Sequence, residues 1–174
     1  MNKRRKIDFV LEEDDFEKVV FRFYPRQSSC CGLKWEEVSE WYYHYKVIKY
    51  YKDDDGNIEA YYILFDSECD EDSVIFEISD ILKCFSEGKS ETKLYSGWGG
   101  EFSLKISDDE EFRTGEGSVD WRLTKCKYDT YRFELFRFDD DVGYRFWLQK
   151  EKAYEFGAYL NYCCEYMLEH GDPI

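Results

Sequence analysis

A chain of 174 residues is long enough for one domain with a sizeable core. Its 39 acidic against 24 basic residues give a formal charge of −15, which argues against nonspecific attraction to nucleic acid or anionic lipid, because phosphate binding is driven by cations. Charge of that size also suits a disordered chain, but 14 Phe, 16 Tyr and 5 Trp, each able to bury about 150–250 Å², offset the ordering entropy of folding.

Two prolines and no Ser/Gly-rich tract leave no linker, so residues 1–174 are expected to form a single domain. NKRRKI, Asn2 to Ile7, makes residues 1–8 a flexible basic tail. No apolar run follows it as a secretory signal requires, and no stretch of about 18 apolar residues spans a membrane, so a cytoplasmic location is expected. There the seven cysteines, irregularly spaced and odd in number, are expected to be reduced and mostly to fill the core.

In chain order, Phe16 to Tyr24 has strand propensity and is expected to stop at Pro25. WYYHYKVIKYY (Trp41 to Tyr51) and IEAYYILF (Ile58 to Phe65) flank DDDGN, a turn sequence, and so predict a long antiparallel hairpin. Val74 to Ile78 predicts a strand, and Ser79 the cap of a short helix over Asp80 to Ser86. Further strands are predicted at Glu101 to Ile106, Val119 to Thr124, Tyr131 to Phe138 and Gly143 to Leu148, with SGWGG and SDDEEFRTGEGS as loops. Ala153, Phe156, Leu160, Cys163 or Cys164, and Met167 recur at helical spacing after Leu148, the mark of a helix with one apolar stripe. Together these elements predict an α+β fold: a mainly antiparallel β-sheet with a short central helix and a C-terminal amphipathic helix packed on one face.

The acidic loops invite a calcium site, yet none has its glycine and oxygen ligands in place. DDDGN around Gly56 puts tyrosines at the first and last ligand positions, and Glu71 takes the glycine position of DSECDEDSVIFE. Asp139, Asp140 and Asp141 are consecutive and cannot alternate around one ion. Zinc is disfavoured because the cysteine pairs are adjacent and the only histidines are His44 and His170. There is no nucleophile elbow, and SGWGG runs into a strand rather than a helix, which is wrong for a phosphate loop. No cofactor, no metal and no catalytic residue is expected.

What remains is acidic surface. Lys52 to Asp80 holds eleven acids and one base, and such a cluster is either solvated bulk or a docking face for a basic protein. The candidate contact residues are Glu68, Asp70, Glu71 and Asp72, together with Asp139, Asp140 and Asp141 and the aromatic Tyr144 and Trp98, with Tyr61 and Tyr62 nearby. Glu68, Asp70 and Asp72 alternate, so if extended they lie about 6.6 Å apart, comparable to successive phosphates on a nucleic-acid strand.

From Tyr131 to His170 the chain runs as a hairpin, FELFRFDDDVGYRFWLQ, followed directly by the helix KAYEFGAYLNYCCEYMLEH. This part resembles the small, acidic, aromatic-rich α+β immunity proteins that bacteria use against polymorphic toxins. The resemblance implies a protein with no activity of its own that blocks a toxin by occluding its active surface, and it assigns no functional residue. The expected function is therefore that of a non-enzymatic acidic binder of a basic protein, a toxin or nuclease, with no direct contact to nucleic acid or membrane. The alternative is a phage-type, nucleic-acid-mimicking inhibitor of a defence nuclease, of the anti-CRISPR or anti-restriction kind.

Overall fold

Val19, Phe21 and Phe23 alternate with Lys18, Val20 and Arg22 along one strand, and that period of two sends the aromatic set to a single face. In this computed structural model the described residues are 5–26, 42–70, 78–80, 82–83, 86–87, 91–96, 100–105, 111–114, 119–137 and 142–170. The fold is α+β and mainly antiparallel. Strands β1 (Ile7–Glu13), β2 (Glu17–Arg26), β3 (Tyr42–Lys52) and β4 (Ile58–Asp70) form one sheet in that order. Strands β5 (Glu91–Ser96) and β6 (Gly100–Lys105) pair with each other. Strands β7 (Glu111–Thr114), β8 (Val119–Cys126), β9 (Thr130–Arg137) and β10 (Val142–Gln149) form a further sheet, ordered β10-β9-β8-β7.

A short helix, α1, includes residues 78–80, 82–83 and 86. The long helix α2 (Lys150–His170) follows β10 directly and lies against β1 and β2 of one sheet and β9 and β10 of the other. Its buried residues include Ala153, Phe156, Leu160, Cys163, Cys164 and Met167, the stripe that the helical spacing predicts. Phe156 is the centre of the packing. Its ring lies 5.2 Å from Phe9 and 5.3 Å from Phe21 on the first sheet, and 5.4 Å from Phe133 and 5.8 Å from Phe146 on the other. Both sheets therefore share one cluster, and the helix's aromatic residue joins them.

Helix α1 meets α2 at Gly157, where a Cβ would come 2.7 Å from the Cβ of Leu82. The close approach lets the Ser79 hydroxyl donate to the Gly157 carbonyl at 2.9 Å. Ser79 thus serves as a buried cross-link inside α1 rather than as its cap, and Ile78 is helical rather than the end of a strand. The rest of the predicted Val74 to Ile78 strand lies outside the described residues.

Other departures follow from strand position. Ile7 and Asp8, assigned by the sequence to the basic tail, are the first residues of β1, and Arg5 stacks over the Tyr166 ring and donates to its hydroxyl at 3.0 Å. Pro25 lies inside β2, paired with Tyr43. It is tolerated because β1 pairing ends at Ile7 and Phe23, so among the described residues β2 has only β3 beside it at this point. β5 and β7 fall where no strand is predicted, β7 within the stretch read as an acidic loop. β4 runs on through the acidic residues to Asp70.

Candidate docking edge

The hairpin between β3 and β4 turns on Asp53, whose Oδ1 accepts from the backbone N–H of Asp55 at 3.0 Å and of Asn57 at 2.8 Å. Gly56, at φ +81°, supplies the left-handed residue the turn needs. Asp53 is used by the turn, while Asp54 and Asp55 are exposed at its tip. The first aspartate of DDDGN is therefore structural and the next two are surface charge.

Beyond the turn, β4 pairs with β3 and is the last strand of its sheet. Two register shifts divide it, one leaving Leu64 between the pairs Val47–Phe65 and Ile48–Ile63, the other leaving Glu59 between Tyr51–Ala60 and Lys52–Ile58. A one-residue bulge reverses which side chains face the core. Phe65 is buried and Leu64 packs against the same cluster, whereas Ile63 falls in the row of Ile48 and Val20 on the opposite face. From Ile58 to Ile63 every residue is exposed, with Tyr61 and Tyr62 at 63% and 62%. Tyr61 meets Tyr50 at 6.1 Å and Tyr62 meets Tyr51 edge-on at 5.7 Å, so both rings are held against β3 while remaining open to solvent. Tyr51, Glu59, Ala60, Tyr62, Ile63 and Leu64 line a groove of about 650 Å³.

Residues 53–70 carry Asp53, Asp54, Asp55, Glu59, Asp66, Glu68 and Asp70 and neither lysine nor arginine. Asp66 is already engaged: Lys46 donates to its Oδ2 at 2.7 Å, and the His44 Nε2 lies 2.5 Å from its Oδ1. Burial raises the Asp66 pKa, but the hydrogen bonds from Lys46 and His44 outweigh it and hold the carboxyl below its usual range. The register Asp8–Arg22–Lys46–Asp66 runs this charge row across all four strands, with Arg22 held by both Asp8 oxygens at 2.7 Å. His44 stacks on Tyr24 at 5.0 Å. With its carboxylate shared by a lysine, the pair reads as a structural ladder. A second such pair is Glu134, 3% exposed, which accepts from Arg145 Nε at 2.7 Å and lies 3.4 Å from Arg132 Nε.

The predicted contact residues separate in this frame. Glu68 and Asp70 sit at alternate positions of β4, opposite His44 and Tyr42. Glu71, Asp72, Trp98, Asp139, Asp140 and Asp141 lie outside the described residues. Tyr144 is half-buried against the core, stacked on Phe146 at 5.9 Å, and burial, aided by the charge of Glu12, pushes its pKa up to about 12. The turn between β9 and β10 was predicted from the sequence as a hairpin, and the pairing runs from Gln149–Thr130 to Val142–Arg137. Among the described residues no group of His, Cys, Asp and Glu is arranged to hold a metal, and no helix is long and apolar enough to cross a membrane.

No family model matches the sequence, and no curated protein is significantly similar to it. Ile58 and Ile63 are the members of the exposed patch that residue patterns do not reveal, because IEAYYILF has the continuous apolar character of a buried strand.

Proposed function

We propose that this chain is a non-enzymatic acidic protein that neutralises a basic protein partner in the cytoplasm, in its specific form an immunity protein against a bacterial toxin. The observation that carries this reading is the far half of β4, where four large apolar side chains, Ile58, Tyr61, Tyr62 and Ile63, stand exposed beside the exposed carboxylates of Asp54, Asp55 and Glu59. An apolar centre that can be desolvated inside a charged rim is the anatomy of a protein interface. The carboxylates favour a basic partner and speed its encounter. Neutralisation by occlusion requires no catalytic group on this chain.

Affinity capture from the native cell, with the bound chain identified, supplies the partner for the test. Against that partner, the triple variant Asp54→Asn, Asp55→Asn, Glu59→Gln is expected to associate about tenfold more slowly at low salt and to converge with the wild type as salt rises. An on-rate equal to wild type at every ionic strength marks the carboxylates as solvated bulk and sinks the reading.

A second reading, a phage-type nucleic-acid-mimicking inhibitor of a defence nuclease, draws support from β4 itself. The strand is extended through Asp70, so Glu68 and Asp70 stand at alternate positions, about 6.6 Å apart. Asp66, the preceding alternate residue, counts against it because Lys46 already neutralises its charge and His44 occupies its other oxygen. Competition between duplex DNA and this chain for the captured partner separates the two readings.

A further inference from the structure

We infer that the partner adds a β-strand to the outer edge of β4, and that the added segment is extended and rich in arginine or lysine. This rests on reading β4 as the docking edge and specifies how that edge is used. Among the described residues β4 pairs on one side only, with β3, so its other row of N–H and C=O groups is available for a ladder. Natural edge strands are guarded by lysine, proline, bulges or a covering element. From Ile58 to Ile63 this one has no lysine and no proline and is exposed along its whole length, and its two bulges, at Glu59 and Leu64, leave an unguarded regular window between them.

The two bulges fix where a strand fits. Between them the register is continuous over Ala60–Tyr51, Tyr61–Tyr50, Tyr62–Lys49 and Ile63–Ile48. That regular window is the length of a short strand, roughly 13 Å at about 3.3 Å per residue. Tyr61 and Ile63 share one face of the window and Tyr62 takes the other, so an added strand meets an aromatic ring on each side. Alternate side chains of the partner would lie along Tyr61 and Ile63, where aliphatic groups bury well and arginine stacks on the tyrosine.

Charge selects among possible strands. A second copy of this chain carries the same formal charge of −15, and residues 53–70 of each copy hold seven carboxylates with no lysine or arginine, so joining two such edges is opposed by like charge. A cationic strand meets the same carboxylates with favourable sign. The occupant is therefore a basic segment of another protein rather than a copy of this one.

The probe is an alternating arginine–valine nonapeptide, titrated into the isotope-labelled full chain and followed through the backbone amides. The control is the same peptide N-methylated at its two adjacent central nitrogens, which blocks both strand edges and keeps the charge. Strand addition is expected to shift the amides of Ala60 to Ile63 and to slow hydrogen exchange at the alternate ones that point away from β3, with the control bound at least about tenfold more weakly. Equal affinity for both peptides, binding without change at Ala60 to Ile63, or no binding of either overturns strand addition. If both bind equally and the Asp54→Asn, Asp55→Asn, Glu59→Gln variant weakens both at low salt, strand addition fails while the docking reading stands. If that variant binds the parent peptide as tightly as wild type at low salt, the docking reading fails. Dimerisation through Ala60 to Ile63 without peptide assigns the edge to a second copy and also overturns the proposal.

Discussion

Tyr43 and Tyr45 stand on the same hairpin as Tyr61 and Tyr62, yet the first two are 1% and 0% exposed and the second two 63% and 62%. The residue type and the sheet are shared, so neither decides burial. What differs is connection to helix α2. Tyr45 stacks on Phe21, and Phe21 meets the Phe156 ring edge-on, which carries the core from the helix to the near half of the hairpin. Tyr61 and Tyr62 have rings of β3 beside them, and solvent in place of the helix. Burying one such ring stabilises the fold by roughly 1.5–3 kcal/mol, so leaving two of them open forgoes a gain that a partner surface can recover.

The comparison breaks hardest at its hinge. Phe156→Ala removes the ring shared by both sheets and is expected to cost about 3–5 kcal/mol, read as a lower denaturation midpoint in urea. A cost under about 1 kcal/mol would show that the sheets do not depend on α2. The tyrosines themselves give the sharpest contrast: Tyr45→Ala is expected to cost about 3–5 kcal/mol and Tyr61→Ala less than about 1 kcal/mol. Equal costs would make the far half a second core and end its candidacy as a surface.

Gly157→Ala tests how closely α2 is seated. Its Cβ has no room beside Leu82, and overpacking of this kind costs about 1–3 kcal/mol; thermal denaturation reads it. A neutral result would mean that α1 yields easily and is not part of what holds the near half.

The pH dependence is smaller near neutrality and grows on the alkaline side. Burial raises the pKa of Tyr159 and of Cys163, and of Tyr144 to about 12. Their neutral forms are favoured by the fold, so the stability they confer is fully present below their unfolded values, about 9 for the thiol and 10 for the phenols. It is lost progressively as pH rises beyond those values toward the folded ones. Melting temperature is therefore expected to fall between pH 9 and 11, and less steeply in Tyr159→Phe, which cannot ionise. That variant also loses the hydrogen bond to the Ile7 carbonyl, 2.8 Å long, so the slope with pH rather than the absolute melting temperature is the readout. A flat profile would mean that water reaches these groups.

Much of the near half was legible in the sequence. Aromatic and β-branched runs marked β3, β4, β9 and β10, and helical spacing marked the buried stripe of α2, because these elements fill the core and their residue types must suit it. β1 and β7 escaped because their charged residues, such as Glu12 and Glu13 or Glu111 and Arg113, read as tail or loop. The candidate site was legible only in part. Its acidity was plain from composition, and Tyr61 and Tyr62 stood out as aromatics. The exposure of Ile58 and Ile63 was not, since it depends on how far a helix ninety residues further along reaches and on a bulge at Leu64 that no local pattern announces.

The most direct measurement is capture from the native cell with two baits, the wild-type chain and the variant Ile58→Ser, Tyr61→Ser, Tyr62→Ser, Ile63→Ser, once circular dichroism has shown that the variant folds. The expected result is a basic protein retained by the wild type and lost from the variant. The same partner retained equally by both baits would contradict the assignment of the β4 edge as the docking surface.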